Sequence, residues 1–129
     1  MEWKIDYLEK DGIVLVTTSG IATWDESRKL TEEAIELGRS RGSSRFIVDN
    51  RNLESTLPTL QVDKLPEMFK QAGLTSEDRM ALVYESSSPL KNTHKFFRDV
   101  AFLASLQVRL FTDIDEAIAW LKADGPDKP

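Results

Sequence analysis

The chain contains no cysteine. Disulfides, a thiolate nucleophile and a cysteine-ligated zinc site are therefore excluded. It also lacks a long apolar run. No segment approaches the roughly 20 residues that a membrane span requires, and the opening Met1-Glu2-Trp3-Lys4-Ile5-Asp6 holds no signal-peptide core. A cytoplasmic protein without a transmembrane segment is the expectation. A basic excess is missing too: 17 Lys and Arg stand against 22 Asp and Glu, a net charge of −5. That is the wrong sign for a nucleic-acid surface, so no nucleic-acid partner is expected. No glycine-rich phosphate loop or dinucleotide fingerprint occurs, and no cofactor is expected. The single histidine, His94, makes a poor metal site without clustered carboxylates. No serine sits in a Gly-x-Ser-x-Gly context.

What is present is a globular composition. The 129 residues are 40% hydrophobic and 30% charged, which suits one domain with its own core. Residues 1–123 read as that domain. Residues 124–129, with two prolines and a glycine, read as a flexible tail.

Trp3, Ile5 and Tyr7 alternate with Lys4 and Asp6, the period of a half-buried strand. Asp11-Gly12 is a turn signal, and residues 13–18 form a second β-favouring run, so a hairpin is predicted. Thr23 stands three residues before Glu26, a capping-box spacing. The helix it opens is predicted to reach Arg39, with Leu30, Ala34 and Leu37 on one face. Phe46-Ile47-Val48 reads as a buried central strand. Residues 49–58 read as a long polar loop, and 59–72 as a helix that Pro66 must either kink or begin. A strand follows at 80–84. The next helix carries Phe96, Phe97, Val100, Leu103 and Ala104 on its apolar face. A short strand at 108–111 comes next. Asp113 caps the last helix, whose face is Ile114, Ala117, Ile118 and Leu121.

The order ββαβαβαβα predicts an α/β fold. Its mixed sheet has about five strands, an N-terminal hairpin followed by parallel crossovers, with four helices. This order resembles the STAS domain of anti-sigma-factor antagonists, and within it the SpoIIAA-like, or STAS/SEC14, branch. The residues that carry the likeness are Trp3, Gly20 and Thr23, Phe46-Ile47-Val48-Asp49, Arg79-Met80-Ala81-Leu82-Val83 and Val108-Arg109-Leu110-Phe111, then Ala117 and Trp120-Leu121. It spans roughly residues 3–122. The resemblance implies a non-enzymatic regulatory module that works through protein contacts, with homodimerisation among them. It implies, as an alternative, a carrier or sensor of a lipid or other apolar small molecule. Antagonists of this type present an Asp-Ser-Ser-Gly segment after the central strand, where a serine is phosphorylated. Here the region reads Asp49-Asn50-Arg51-Asn52-Leu53-Glu54-Ser55-Thr56. The motif is absent, and Ser55 and Thr56 are the hydroxyls nearest its place.

The candidate ligand or partner site is therefore Asp49, Asn50, Arg51, Leu53, Ser55, Thr56 and Leu57, beyond the carboxyl end of a central strand, where open α/β sheets bind ligands. Asp49 and Arg51 either form a polar clamp for a carboxylate or phosphate, or close a turn with Arg51 solvated. Leu53, Leu57 and Leu60 either offer an exposed apolar contact or fold back as a small cluster. His94 is expected to be solvated or helix-capping, a hydrolase using it or Asp49 being the third functional reading. Arg39, Arg41 and Arg45 surround Gly42 at a helix C-terminus, where cations complement the dipole. Trp24 and Trp120 are expected to pack at the edge of the core.

Overall fold

The computed structural model describes residues 1–123; the tail predicted at 124–129 lies outside the described residues. The elements are β1 (Glu2–Leu8), β2 (Ile13–Ile21), α1 (Trp24–Ser40), β3 (Arg45–Ser55), α2 (Thr59–Val62), α3 (Leu65–Gln71), β4 (Arg79–Val83), α4 (Lys91–Leu103), β5 (Gln107–Phe111) and α5 (Ile114–Lys122). The predicted α/β architecture is present. One sheet runs in chain order β1-β2-β3-β4-β5. β1 is antiparallel to β2 and the remaining pairs are parallel.

This sequential order decides where the helices go. Parallel crossovers are right-handed, so a sheet that grows in one direction receives every crossover helix on the same face. α1, α2, α3 and α4 accordingly share one side. α5 follows the last strand among the described residues and packs on the other side against β3 and β4. The larger core cluster includes Val14, Val16, Phe46, Met80 and Leu82 from the strands and Leu30, Ala34, Val62 and Phe97 from the helices. The smaller one joins Ile13, Ile47, Ala81 and Val83 to Ala117, Trp120 and Leu121 of α5. Alternate residues of each strand thus feed opposite faces.

The local signals act as their chemistry requires. Gly12 adopts a positive φ of 68° in the hairpin turn, and its N–H donates to the Leu8 carbonyl at 2.8 Å. Thr23 and Asp113 cap their helices by accepting from the N–H of Glu26 and Glu116 at 3.3 and 3.1 Å. Gly38 lets α1 approach β3: a Cβ there would lie 2.9 Å from Phe46 Cζ.

Three expectations are corrected. Residues 49–55 are not loop, because β3 continues to Ser55 alongside a β2 that itself reaches Ile21. The polar residues of this stretch hide a ladder that runs past the core. The predicted second helix is present in two pieces. Pro66 offers no N–H to continue the ladder from α2 and occupies the first turn of α3, where none is needed. Leu103 is 81% exposed and lies off the buried face of α4.

Candidate functional site

Beyond the core the β2–β3 ladder is irregular. Thr17 pairs with Asp49 and Ser19 with Asn52, so β3 carries one extra residue opposite Thr18; a second extra residue lies between Leu53 and Ser55. Bulges of this kind re-aim side chains at a strand end. The first falls where Asp49 and Asn50 diverge to opposite faces.

On the α5 face, Asp49 and Arg51 form an ion pair. Asp49 Oδ1 accepts from the Arg51 backbone N–H at 3.1 Å and from Nε at 2.9 Å, and Oδ2 accepts from Nη2 at 2.9 Å. The bidentate contact holds the Arg51 guanidinium charged, with the carboxylates of Glu85 and Asp113 adding to the same field. The turn reading is met in part: Asp49 bonds a nearby backbone N–H and Arg51 is exposed, but the guanidinium is paired with Asp49 within the chain instead of being held only by solvent.

On the crossover face the strands and helices leave a cavity of about 130 Å³ that opens to solvent. Its wall includes Leu30 and Ala34 of α1, Val48 and Leu82 of the sheet, Phe69 of α3 and Phe97 of α4. No Asp, Glu, Lys or Arg among the described residues lines it. One end is polar. Thr18 Oγ1 lies 2.6 Å from Asn50 Oδ1, Asn50 Nδ2 lies 3.2 Å from His94 Nε2, and His94 Nδ1 lies 2.8 Å from the Leu90 carbonyl. The polarity of this chain is determined. A carbonyl only accepts, so Nδ1 carries the imidazole proton. Nε2 then accepts from the Asn50 amide, and the Asn50 carbonyl accepts from the Thr18 hydroxyl.

His94 is 5% exposed, not solvated, and its ring stacks on Tyr84 with centroids 5.6 Å apart. Burial pushes its pKa below the ordinary value of 6.5, and the bond to the Leu90 carbonyl partly opposes that. The neutral ring keeps the chain of hydrogen bonds complete.

The predicted site residues separate. Asn50, Leu53, Thr56 and Leu57 line the cavity. Asp49 and Arg51 face the other way, and half-buried Ser55 ends β3 with its Oγ 3.4 Å from the Thr56 carbonyl oxygen. The three leucines do not act together: Leu57 is 5% exposed, Leu53 is half-buried and Leu60 is 80% exposed. Thr18 and the role of His94 were missed. Strand alternation could have placed Thr18 on the face of Val14 and Val16, and Asn50 on that of Phe46 and Val48. Nothing in the sequence aims the α4 ring at them.

The remaining candidates are structural. Arg39 Nη1 and Nη2 donate to Asp78 Oδ1 and Oδ2 at 2.9 and 2.7 Å, tying α1 to the turn before β4. Arg41 lies over the Tyr7 ring at 5.0 Å. Trp24 packs against the larger cluster and Trp120 within the smaller. Among the described residues no three His, Asp or Glu side chains converge as metal ligands, and no helix is long and apolar enough to cross a membrane.

Against known proteins, the profile of the SpoIIAA-like family matches residues 13–122. No curated protein matches the chain in sequence. Among solved structures, an anti-sigma factor antagonist from Mycobacterium paratuberculosis superposes with a TM-score of 0.64 at 16% identity, covering 95% of this chain and 96% of that one. At that identity the likeness is one of fold.

Proposed function

The chain belongs to the SpoIIAA-like family, and from that membership we propose that it is a non-enzymatic, cytoplasmic binding module acting as one unit over residues 1–123 through protein contacts. The observation that carries this reading is the shared fold over nearly the whole of both chains. The neighbour is an anti-sigma factor antagonist, a protein whose target is another protein.

The contact surface we assign is the far end of the β2–β3 ladder. Ile21 is 60% exposed and pairs in register with Ser55; Leu60, 80% exposed, follows in α2. Exposed Asn52 and Glu54 lie on the same strand end. Of the two hydroxyls in this region, Thr56 faces the cavity and Ser55 sits on the rim, so Ser55 is the acceptor this reading assigns to a modifying kinase. No catalytic step is assigned, since the polar atoms of Asp49 and His94 are held by partners within the chain.

The test is association measured by light scattering and by quantitative co-purification from the native host. The wild type is expected to self-associate or to retain a defined protein. The double variant Ile21→Asp, Leu60→Asp is expected to lose that association at least tenfold with an unchanged melting temperature. A wild type that is monomeric and bare overturns the reading.

A second reading, a carrier or sensor of an apolar small molecule, is favoured by one specific observation, the apolar cavity under the crossover helices.

A further inference from the structure

We infer that the cavity is a binding site for an uncharged, ring-sized molecule bearing one hydroxyl-type group, the apolar body lying between Leu30, Leu82 and Phe97 and the polar group meeting Asn50 and Thr18. The inference rests on the carrier reading and narrows it in size, charge and orientation.

Size comes from the volume. A cavity of about 130 Å³ is close to the engineered void of about 150 Å³ that accepts benzene. One ring fills it, whereas an acyl chain of lipid length would leave most of its carbons outside the mouth. Charge comes from the wall. No ionic side chain is among the described lining residues, and the one charge on the wall, the Met1 ammonium, is already paired with Glu26 at 3.2 Å, so a carboxylate or ammonium would enter without a free counter-charge, which low-polarity surroundings strongly disfavour. Phosphorylated headgroups are excluded on the same ground.

Orientation comes from the valences left over. His94 has none to give: Nδ1 is held by the Leu90 carbonyl and Nε2 by Asn50. Asn50 retains one amide N–H and a carbonyl lone pair, and the Thr18 oxygen retains its lone pairs. Donor and acceptor capacity therefore sit side by side at this end; the wall also carries the hydroxyls of Ser27, Thr31, Thr56 and Thr93 but is mainly apolar. A hydroxyl, which both donates and accepts, matches that pair, whereas a purely apolar molecule leaves it unused. The stack of Tyr84 on His94 fixes the ring that orients Asn50, so the polar end is preformed.

The experiment uses the full chain in ¹H–¹⁵N correlation spectra, titrated in turn with toluene, phenol and benzoate. Toluene and phenol are expected to shift the backbone amides of the lining residues. Phenol is expected to bind about five- to tenfold more tightly, the worth of one hydrogen bond, and to shift the Asn50 side-chain amide pair, which toluene leaves in place. Benzoate is expected to leave the spectrum unchanged. Ala34→Leu, which fills the space from α1, is expected to abolish both responses. Toluene and phenol binding equally, or benzoate binding as well as phenol, overturns the inference while the carrier reading stands. No response to any probe overturns both. The wild-type probe comparison decides the matter even where Ala34→Leu does not fold.

Discussion

Asp49 and Asn50 are neighbours in β3 and serve opposite faces of one sheet. On the α5 face, Asp49 meets Arg51 through three hydrogen bonds, and beneath that pair lies a sealed cluster in which six of the seven core residues are fully buried. On the crossover face, Asn50 joins Thr18 to His94, and beneath that chain lies a void of about 130 Å³. The thin face is covered by one helix and its core residues are buried almost completely. The thick face is covered by four helical segments and holds the cavity. Four separate segments must all fit the sheet and one another, and the break at Pro66 lets α2 and α3 diverge. The difference teaches that stability and accessible space have been assigned to opposite sides of the sheet.

That comparison is tested most strongly by paired truncations. Leu121, fully buried on the thin face, is expected to cost about 3–5 kcal/mol on replacement by alanine. Leu30, a cavity wall residue at 9% exposure, is expected to cost about 2 kcal/mol in Leu30→Ala, because part of its surface already lacks packing partners. Urea titrations at matched slopes read the difference. Equal losses would mean that the two faces are packed alike. A second pair contrasts the polar neighbours. Asn50→Leu strands the His94 Nε2 in buried surroundings, leaves the Thr18 hydroxyl only its longer contact to the Asp49 carbonyl at 3.3 Å, and is expected to cost about 2 kcal/mol. Arg51→Met leaves the buried Asp49 carboxylate, midway along β3, with its backbone donor in place and is expected to cost about 1 kcal/mol. The reverse order would put the structural weight on the α5 face at this level also.

The crossover face also carries a pH dependence. The folded pKa of His94 lies below 6.5, so the unfolded chain binds its proton first as pH falls. The contribution is fully present above pH 6.5 and is lost as pH drops from there through the folded value, at no more than about 1.4 kcal/mol per pH unit. Chemical denaturation at pH 7.5, 6.5 and 5.5 should show the decline. In His94→Gln the decline should be shallower by that amount. An identical slope in the variant would show that other groups account for the acid sensitivity.

The fold was readable where one residue type performs one local task. Thr23 and Asp113 cap helices, Gly12 turns the hairpin, and the β-rich runs are strands. β3 was cut short because Asn50, Arg51 and Asn52 look like loop residues. They stay in the ladder through pairing with β2, a long-range contact that composition does not express. The site was half legible for the same reason. Asn50, Leu53, Thr56 and Leu57 were singled out by their position after a central strand and do line the cavity. The Asp49–Arg51 pairing needed the strand geometry that brings alternate residues together. His94 needed the placement of α4 over the sheet end, which tertiary packing alone provides.

The smallest expected effect separates the two kinds of packing within a single helix. Ala34 and Gly38 lie one turn apart on α1, both buried against the sheet. Ala34 borders the cavity, whereas a methyl group at Gly38 would lie 2.9 Å from the Phe46 ring. Adding carbon should therefore have opposite signs at the two positions. Ala34→Leu fills empty space with little change in helix propensity and is expected to stabilise by about 1 kcal/mol. Gly38→Ala removes a poor helix former, a gain of up to about 1 kcal/mol, but forces α1 off β3 and is expected to destabilise by about 1 kcal/mol on balance. Melting temperatures of the two variants against the wild type decide it. A stabilised Ala34→Leu that no longer takes up phenol would identify the void as space kept open at the expense of stability. A destabilised one would show that the wall residues cannot yield, and that the cavity is narrower than its volume implies.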